Sequence, residues 1–339
     1  MQSRNKKRNR AFTLIELLVV IAIIALLVGI LLPALAKARQ TAKTMRCATQ
    51  VRNVMQAMMV FANSNRDSYP LPGNLDRNGT TVAGNTAADN EKKNNLGNAL
   101  SILIFNNAIS PELCVSPSEV SGVVRIDDQY SSASPAAADT AGGNRNTALW
   151  DPGFCGTPVD GTAGPNAGRR ATGAISNNSY ASIVFFGGRR ARWSNTFSAT
   201  EPVFGSRGPV YTGASGANDQ GNWQGNGSNG WRPVTGANGT DSNTMLIHGG
   251  RSSWEGNIGY NDGHVNTETR PDPIEITFKR AGNQAVNAVV PDNFFVDETD
   301  DASGGTSNDA MLRQNIWMRP IGSVTSSGSS TLQLVLWKD

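Results

Sequence analysis

The sequence predicts an α+β fold, in which a long N-terminal helix packs on a β-rich, loop-rich C-terminal globular domain. Three observations predict this fold. Residues 12–36 are almost unbroken apolar sequence, apolar residues then continue at helical spacing to residue 62, and the remainder has short apolar runs between loops rich in Gly, Asn, Ser and Pro. We therefore divide the chain into a leader (1–11), a membrane-spanning helix (12–36), an amphipathic continuation (37–63) and a head (64–339).

The leader is short and basic, and the run that follows it is apolar. The leader holds Arg4, Lys6, Lys7, Arg8 and Arg10 and no acidic residue. Residues 12–36 are long enough to span a bilayer as a helix. Because basic flanks stay on the cytoplasmic side, we expect a single crossing with the C-terminus outside the cytoplasm.

The helical pattern continues beyond the apolar run, with apolar residues in steps of three or four along one face. They are Ala38, Ala42, Met45, Ala48, Val51, Met55, Met58 and Ala62. Residues 12–63 are thus expected to form one helix. We predict a helix break at Gly29 and Pro33, since a proline removes a backbone hydrogen bond and clashes with the preceding turn.

Turn residues end the helix, and the head then alternates between apolar runs and loops. Asn, Ser and Asp residues at 63–67 are followed by Pro70 and Pro72. Short apolar runs lie at 99–105, 183–186, 244–247, 274–278, 285–290 and 332–337, and we interpret them as strands of a β-rich domain.

The composition excludes several classes of function. The formal net charge of +3 comes from the leader, because the remaining residues include 25 basic and 27 acidic ones. The charge therefore gives no sign of a nucleic-acid partner. The chain has no P-loop, GxSxG, HExxH or paired CxxC motif and only two histidines, so we predict that it is not an enzyme and needs no cofactor. The acidic run at 297–301 does not match EF-hand spacing and is expected to be a solvated loop.

The junction between leader and apolar run carries a resemblance to a known family. The six residues Ala11-Phe12-Thr13-Leu14-Ile15-Glu16 resemble the class III signal of type IV prepilins and type II secretion pseudopilins. The resemblance implies a pilin-like fold, cleavage by prepilin peptidase between Ala11 and Phe12, and N-methylation of Phe12. It also implies that Pro33 lets the helix stretch in the filament. This chain departs from the family in having Ala11 where Gly is usual, which implies slower processing.

Glu16 supports the same interpretation on physical grounds. A carboxylate inside an apolar span costs about 2.5–3.5 kcal/mol, so it requires a partner. The resemblance implies that this partner is the N-terminal amine of Phe12 in a neighbouring subunit. Two alternatives leave Glu16 unexplained: an ordinary secretory signal cut after Ala36, and an uncleaved membrane anchor.

A looser resemblance covers parts of the head. Several segments resemble a prepilin-like group of planctomycete-type bacteria that ends in a His-X(n)-Asp-Gly motif, here formed by His248, Asp262 and Gly263, with thirteen residues between His248 and Asp262. The three cysteines are too few for a disulfide framework, and spacing alone does not select a pair. The resemblance favours a disulfide between Cys47 and Cys114.

The C-terminal motif allows two interpretations. Asn261-Asp262-Gly263 is a turn signature, which predicts a β-hairpin braced by Asp262 and His264. The alternative is a metal site formed by His248, Asp262 and His264, although no close His or Cys spacing supports it. We expect the hairpin and no bound metal.

These observations predict a structural subunit of a type IV pilus or a type II secretion-like filament. Its expected partners are other pilin or pseudopilin subunits, prepilin peptidase and the inner membrane, and its final location is a periplasmic or extracellular filament. The alternative is a low-abundance tip pilin, adhesin or membrane-anchored binding protein, in which Trp223, Trp231 and Trp254 on Asn- and Gly-rich loops would stack on ligands. We expect these tryptophans instead to be core anchors of a Gly-rich domain.

Overall fold

The computed structural model describes residues 14–140, 142–158, 175–213, 231–250, 253–279, 289–297, 315–327 and 331–337. The chain divides into two compact units, Met1–Lys43 and Thr44–Asp339. Within the described ranges, a long helix is followed by short helices and antiparallel strands. The structure confirms the predicted α+β class.

Helix α1 (Leu14–Asn63) is a single helix of 50 residues. Among the described residues it is the one helix that is long and apolar enough to cross a membrane. The structure corrects the predicted break, since α1 continues through Gly29 and Pro33. Pro33 lacks the N–H that would bond to the carbonyl four residues earlier, which belongs to Gly29, and one missing bond is tolerated in a long helix of good helix formers. A local loss of helix in a filament stays a prediction.

The buried stripe of α1 begins later than its apolar spacing predicts. The buried residues are Cys47, Gln50, Val51, Val54, Met55, Ala57, Met58 and Ala62. Met45, which the spacing assigned to the same face, is 67% exposed. Burial therefore follows the part of the helix that packs in the head, because an apolar pattern predicts a face without saying where that face finds a partner.

Short helices follow α1. They are α2 (Pro72–Leu75), α3 (Ala87–Lys92), α4 (Leu96–Phe105) and α5 (Ala136–Thr140), together with 3-10 turns at Pro111–Cys114, Arg145–Thr147, Gly187–Arg192 and Asn243–Leu246. The prediction of a strand at 99–105 is wrong, because this run belongs to α4. The side chain of Asn95 caps α4 by accepting a hydrogen bond from Asn98 N. A similar correction applies at 244–247, most of which is the 3-10 turn.

The strands form one main sheet and three small pairs. They are β1 (Tyr180–Ile183), β2 (Pro202–Ser206), β3 (Tyr211–Gly213), β4 (Trp231–Pro233), β5 (Gly256–Tyr260), β6 (Val265–Glu268), β7 (Thr277–Lys279), β8 (Val289–Pro291), β9 (Met318–Arg319), β10 (Ile321–Ser327) and β11 (Thr331–Leu336). The main sheet is antiparallel with the order β6-β5-β2-β1-β9. The pairs β3-β4, β7-β8 and β10-β11 are also antiparallel.

Two apolar clusters use alternate residues of β5, as side chains of a strand point to opposite faces. Ile258 and Tyr260 belong to one cluster, which also contains Trp254. Gly259 faces the buried stripe of α1 instead, where an added Cβ would lie 2.7 Å from Met55 Cγ. The helix therefore packs closely on the sheet at Gly259, and a second apolar cluster, which includes Met55 and Val51, fills this side.

Candidate functional site

The first candidate site is the start of α1, where an acidic residue lies in apolar sequence. Glu16 lies in the first turn of the described helix, where a negative charge interacts favourably with the helix dipole. The large apolar side chains of the following segment are exposed. Leu14, at its start, is 77% exposed, and Leu35, at its end, is 50% exposed. A continuous apolar surface of this kind requires lipid or other protein around it. The segment thus fits a membrane anchor.

Two of the predicted site residues, Ala11 and Phe12, lie outside the described residues. Gly29 and Pro33 lie within α1, and an added Cβ at Gly29 would meet no atom within 4 Å. The open surroundings of Gly29 are those expected of a residue that faces lipid or another subunit.

The second candidate site is a buried cluster in the head around Cys47. His248 Nε2 lies 3.2 Å from Cys47 Sγ, and Tyr180 Oη lies 3.5 Å from the same sulfur. The Tyr180 hydroxyl donates to Gln50 Oε1 at 2.9 Å. These contacts join α1 to β1 and to the segment that follows the 3-10 turn Asn243–Leu246. Cys47 and His248 each stand out in the sequence, but no spacing in it indicates that they meet.

Asn257 on β5 completes this cluster. Its Oδ1 accepts from Thr267 Oγ1, which fixes the orientation of the amide, and its Nδ2 donates to Thr44 O at 3.0 Å. The same Nδ2 lies 3.4 Å from His248 Nε2, while His248 Nδ1 lies 3.4 Å from Thr44 Oγ1. This pattern assigns Nε2 as an acceptor and Nδ1–H as a donor, which is the neutral imidazole.

A cysteine, a histidine and an asparagine in contact can form a nucleophilic site, but the environment here opposes it. Burial raises the pKa of the Cys47 thiol and lowers the pKa of His248 to about 4. Cys47 is 0% exposed, whereas a cysteine nucleophile needs a thiolate that substrate can reach. The cluster is therefore a neutral, buried set of contacts that holds α1 against the sheet.

Cys47 and Cys114 are both free thiols in the structure, which therefore lacks the Cys47–Cys114 disulfide that the resemblance favours. Cys114 is also buried, and burial raises its pKa. The Cys47 sulfur lies instead against His248 and Tyr180. A disulfide between Cys47 and Cys114 in the mature protein stays a proposal.

The third candidate site is the hairpin of β5 and β6. Gly263 has a φ of +86°, and its N–H donates to Tyr260 O at 2.9 Å. Asp262 Oδ1 accepts from His264 N and contacts His264 Nδ1. Burial alone would raise the pKa of Asp262, but the hydrogen bonds from His264 lower it overall. The His264 ring stacks on Tyr260 at 4.4 Å, so these side chains brace the turn.

His248 is not part of this hairpin motif. Its ring contacts Cys47 and Thr44, while Asp262 pairs with His264. In the ranges that the structure describes, no three His, Cys, Asp or Glu side chains are grouped to hold a metal ion. The alternative metal site formed by His248, Asp262 and His264 is thus not assembled.

Asn261, beside the turn, ties the hairpin to the exit of α1. Its Oδ1 accepts from the Tyr69 hydroxyl at 2.8 Å, and its Nδ2 donates to Glu201 Oε2 at 3.0 Å and to Arg192 O at 3.2 Å. The turn signature identified Asn261 from the sequence, but its role as a link to Tyr69 was missed, because the partner is 192 residues away.

Gly263→Val is expected to destabilise the head by about 1–3 kcal/mol, because a β-branched residue is strained at this positive φ. The Cβ would also approach Met59 Sδ to 3.2 Å. Thermal unfolding of the full-length chain in detergent measures the loss. Gly122→Val is the matched control, since a Cβ at Gly122 meets nothing within 4 Å. An equal melting temperature for wild type and Gly263→Val would contradict the predicted strain in the turn. A lower melting temperature of the wild type in the presence of a chelator would indicate a bound metal.

The tryptophans considered for ligand stacking have different surroundings. Trp254 is 2% exposed and packs against Phe294 and Phe295, and its Nε1 donates to Arg207 O at 3.0 Å. Trp223 and the side chain of Trp231 lie outside the described residues. Trp254 is therefore a core residue and not an exposed stacking face.

Comparison with known proteins places one segment of the chain in a recognised class. Residues 6–32 match the prokaryotic N-terminal methylation motif. No curated protein and no solved structure matches the chain. The motif covers the end of the leader, the Ala11–Phe12 junction, Glu16 and most of the apolar segment. It supports the interpretation of this segment as a type IV pilin-like class III signal, and of the chain as a pilin- or pseudopilin-type precursor.

Proposed function

We propose that the chain is a structural subunit, a pilin or pseudopilin, of a type IV pilus or type II secretion-like filament. The observation that carries this proposal is the methylation motif at residues 6–32, which extends into an exposed apolar helix and includes Glu16. The subunit is stored in the inner membrane with its head outside the cytoplasm and then enters a filament.

The apolar surface of α1 gives the physical reason for assembly. Its side chains between Leu14 and Leu35 are exposed, so they are stable only in lipid or among similar helices. A filament core of packed apolar segments replaces the lipid without exposing this surface to water. Assembly with other pilin-type subunits thus keeps the helix in an apolar environment at each step.

Maturation is the direct test of this proposal. The protein isolated from its native host is expected to lack residues 1–11 and to carry one added methyl group on Phe12. Intact-mass analysis measures both changes. Ala11→Gly, which introduces the residue usual in the family, is expected to speed the cleavage and leave the product unchanged. A chain that begins at Lys37, or at an unprocessed Met1, would contradict the proposal.

The alternative function, a tip adhesin or an anchored binding protein, would use exposed tryptophans, and one of the three is not exposed. Trp254, one of the three tryptophans considered for stacking, is buried in the core. Abundance separates the two functions, because a major subunit dominates sheared filaments whereas a tip protein is rare in them. Proteomics of sheared filaments from the native host measures this ratio.

A further inference from the structure

A group of positive charges follows the apolar segment of α1, and the proposed filament function does not account for it. Lys37, Arg39 and Lys43 come directly after residue 36, where the apolar run ends, and Arg46 follows three residues later. The sequence has no Asp or Glu between residues 17 and 66, so no acidic residue of this stretch compensates these charges. Lys37, Arg39 and Lys43 are called the basic cluster below.

The side chains of the basic cluster are exposed. All three lie on the exposed surface of α1. None of the ion pairs among the described residues includes any of them. Arg39 and Lys43 are four residues apart, a spacing at which like charges destabilise a helix. The cluster therefore favours a negatively charged partner.

The depth of the basic cluster matches the lipid head groups of a membrane that α1 crosses. A helix rises about 1.5 Å per residue, so Lys37 lies at the edge of the apolar segment and Lys43 roughly 10 Å beyond residue 36. The head-group layer on each side of a bilayer is about 5–8 Å thick. The charge of a membrane surface acts over a Debye length of about 8 Å in physiological salt. All three side chains thus lie within reach of lipid phosphates.

The distribution of the charges around the helix favours lipid over a protein partner. At about 100° per residue, Lys37 and Arg39 lie roughly 160° apart around the axis, and Lys43 lies on the side of Arg39. A protein that docks on one side of α1 would meet only part of the cluster. Lipid head groups surround a helix that crosses a membrane, so they meet the charges on every side.

The head does not share this positive charge. Residues 64–339 contain 20 basic and 26 acidic residues, so the head carries a net negative charge. An anionic membrane surface repels such a head and attracts a local group of Lys and Arg side chains. The excess of positive charge in the first turns after the apolar segment is therefore a local feature of α1.

We propose that Lys37, Arg39 and Lys43 bind the phosphate groups of anionic phospholipids, in the leaflet at the C-terminal end of the apolar segment. The inference rests on the membrane storage that is part of the proposed function, but it does not depend on entry into a filament. Such contacts hold the stored subunit in the membrane. A filament must replace them when the subunit leaves the lipid.

The test measures the lipid preference of the full-length chain in phosphatidylcholine vesicles. Spin-labelled phosphatidylglycerol is compared with spin-labelled phosphatidylcholine, because electron paramagnetic resonance separates lipid held at a protein surface from free lipid. We expect the wild type to hold phosphatidylglycerol more strongly than phosphatidylcholine. Sodium chloride at about 1 M is expected to reduce this preference, since salt screens exposed charges.

Two variants test the role of the basic cluster. Lys37→Gln, Arg39→Gln and Lys43→Gln together remove its charge and keep good helix formers at each position. This triple variant is expected to lower the preference for phosphatidylglycerol by about twofold or more. Lys37→Arg combined with Lys43→Arg keeps the charge and is expected to keep the preference.

A matched control removes the same number of charges from the head. Arg66→Gln, Arg77→Gln and Arg125→Gln together change three exposed arginines, and they are expected to leave the lipid preference unchanged. The basic leader contributes equally to every protein compared. Differences between the variants therefore measure the basic cluster alone.

Three results would overturn the proposal. They are equal retention of the two lipids by the wild type, an unchanged preference in the cluster variant, and an equal loss in the head control. If the cluster variant kept its lipid preference but no longer entered filaments, the cluster would instead bind an acidic protein surface. None of these results bears on maturation, which the mass of the native chain tests separately.

Discussion

A strain whose only copy carries Glu16→Leu is expected to keep the subunit in the membrane as processed monomer and to lack it in sheared filaments. Leucine is apolar, so insertion of the helix is expected to stay intact, and the Ala11–Phe12 junction is unchanged, so cleavage there is expected to proceed. In a membrane-stored subunit with the predicted orientation, Glu16 is expected to lie near the cytoplasmic interface, where water reduces the cost of its charge.

Assembly changes the surroundings of Glu16. In the proposed filament core the carboxylate would be surrounded by apolar helices, where an unpaired charge is costly and a paired one is tolerated. We propose that the methylated amine of Phe12 in a neighbouring subunit supplies the opposite charge and sets the register of the new subunit. Without Glu16 the amine is left as a buried, unpaired cation.

Immunoblots of membrane and sheared fractions measure the expected loss, with the wild type alongside. Glu16→Gln is the sharper comparison, since it keeps the size and hydrogen-bonding groups but removes the charge, and it is expected to fail like Glu16→Leu. Leu17→Ala is the matched control at the next position of the same helix and is expected to assemble. A normal filament yield from Glu16→Leu would leave only apolar packing to explain assembly.

The second large effect concerns pH and His248. Burial lowers the pKa of this histidine to about 4 in the folded head, against about 6.5 for an exposed histidine. The unfolded chain therefore binds a proton between these two values that the folded chain excludes. The contribution of His248 to stability is complete above about pH 6.5 and is lost as the pH falls towards 4, by about 3 kcal/mol in total.

Asp292 has the opposite effect over the same range and must be separated from it. Burial raises the pKa of its carboxyl to about 7, although Ile316 N donates to it at 2.7 Å. The folded head therefore binds this proton between about pH 4 and 7, and acidification through that range favours folding. The pH profile of the wild type alone would thus mix two opposing terms.

The comparison with His248→Gln isolates the histidine, because Asp292 contributes equally to both chains. The free energy of unfolding is measured at pH 7 and pH 4 by urea titration in detergent. Tryptophan fluorescence reports on the head, since all seven tryptophans lie between residues 150 and 337. The wild type is expected to lose about 3 kcal/mol more than His248→Gln on acidification. Equal losses of unfolding free energy in the two proteins would mean that His248 is already protonated in the folded head at pH 4, so that burial does not lower its pKa.

The start of the chain was predictable from sequence because its signals are local. The leader, the junction and the apolar run are contiguous, and the match to the methylation motif depends on the same residues. Helix formation depends on residues three or four apart, so α1 could be predicted to its end at Asn63. The prediction failed at Pro33, where one lost hydrogen bond did not outweigh the surrounding helix, and at 99–105, where the Asn95 cap favours a helix.

The sequence by itself therefore determined the α+β class, the apolar helix and the N-terminal methylation motif, since each depends on neighbouring residues. Only the tertiary structure decided which side chains meet in the head. Cys47 and His248 are 201 residues apart, and Tyr69 and Asn261 are 192 apart. Their contacts arise from how α1 packs on the sheet and how the strands are ordered. No local spacing encodes such contacts, because they depend on the packing of the whole head.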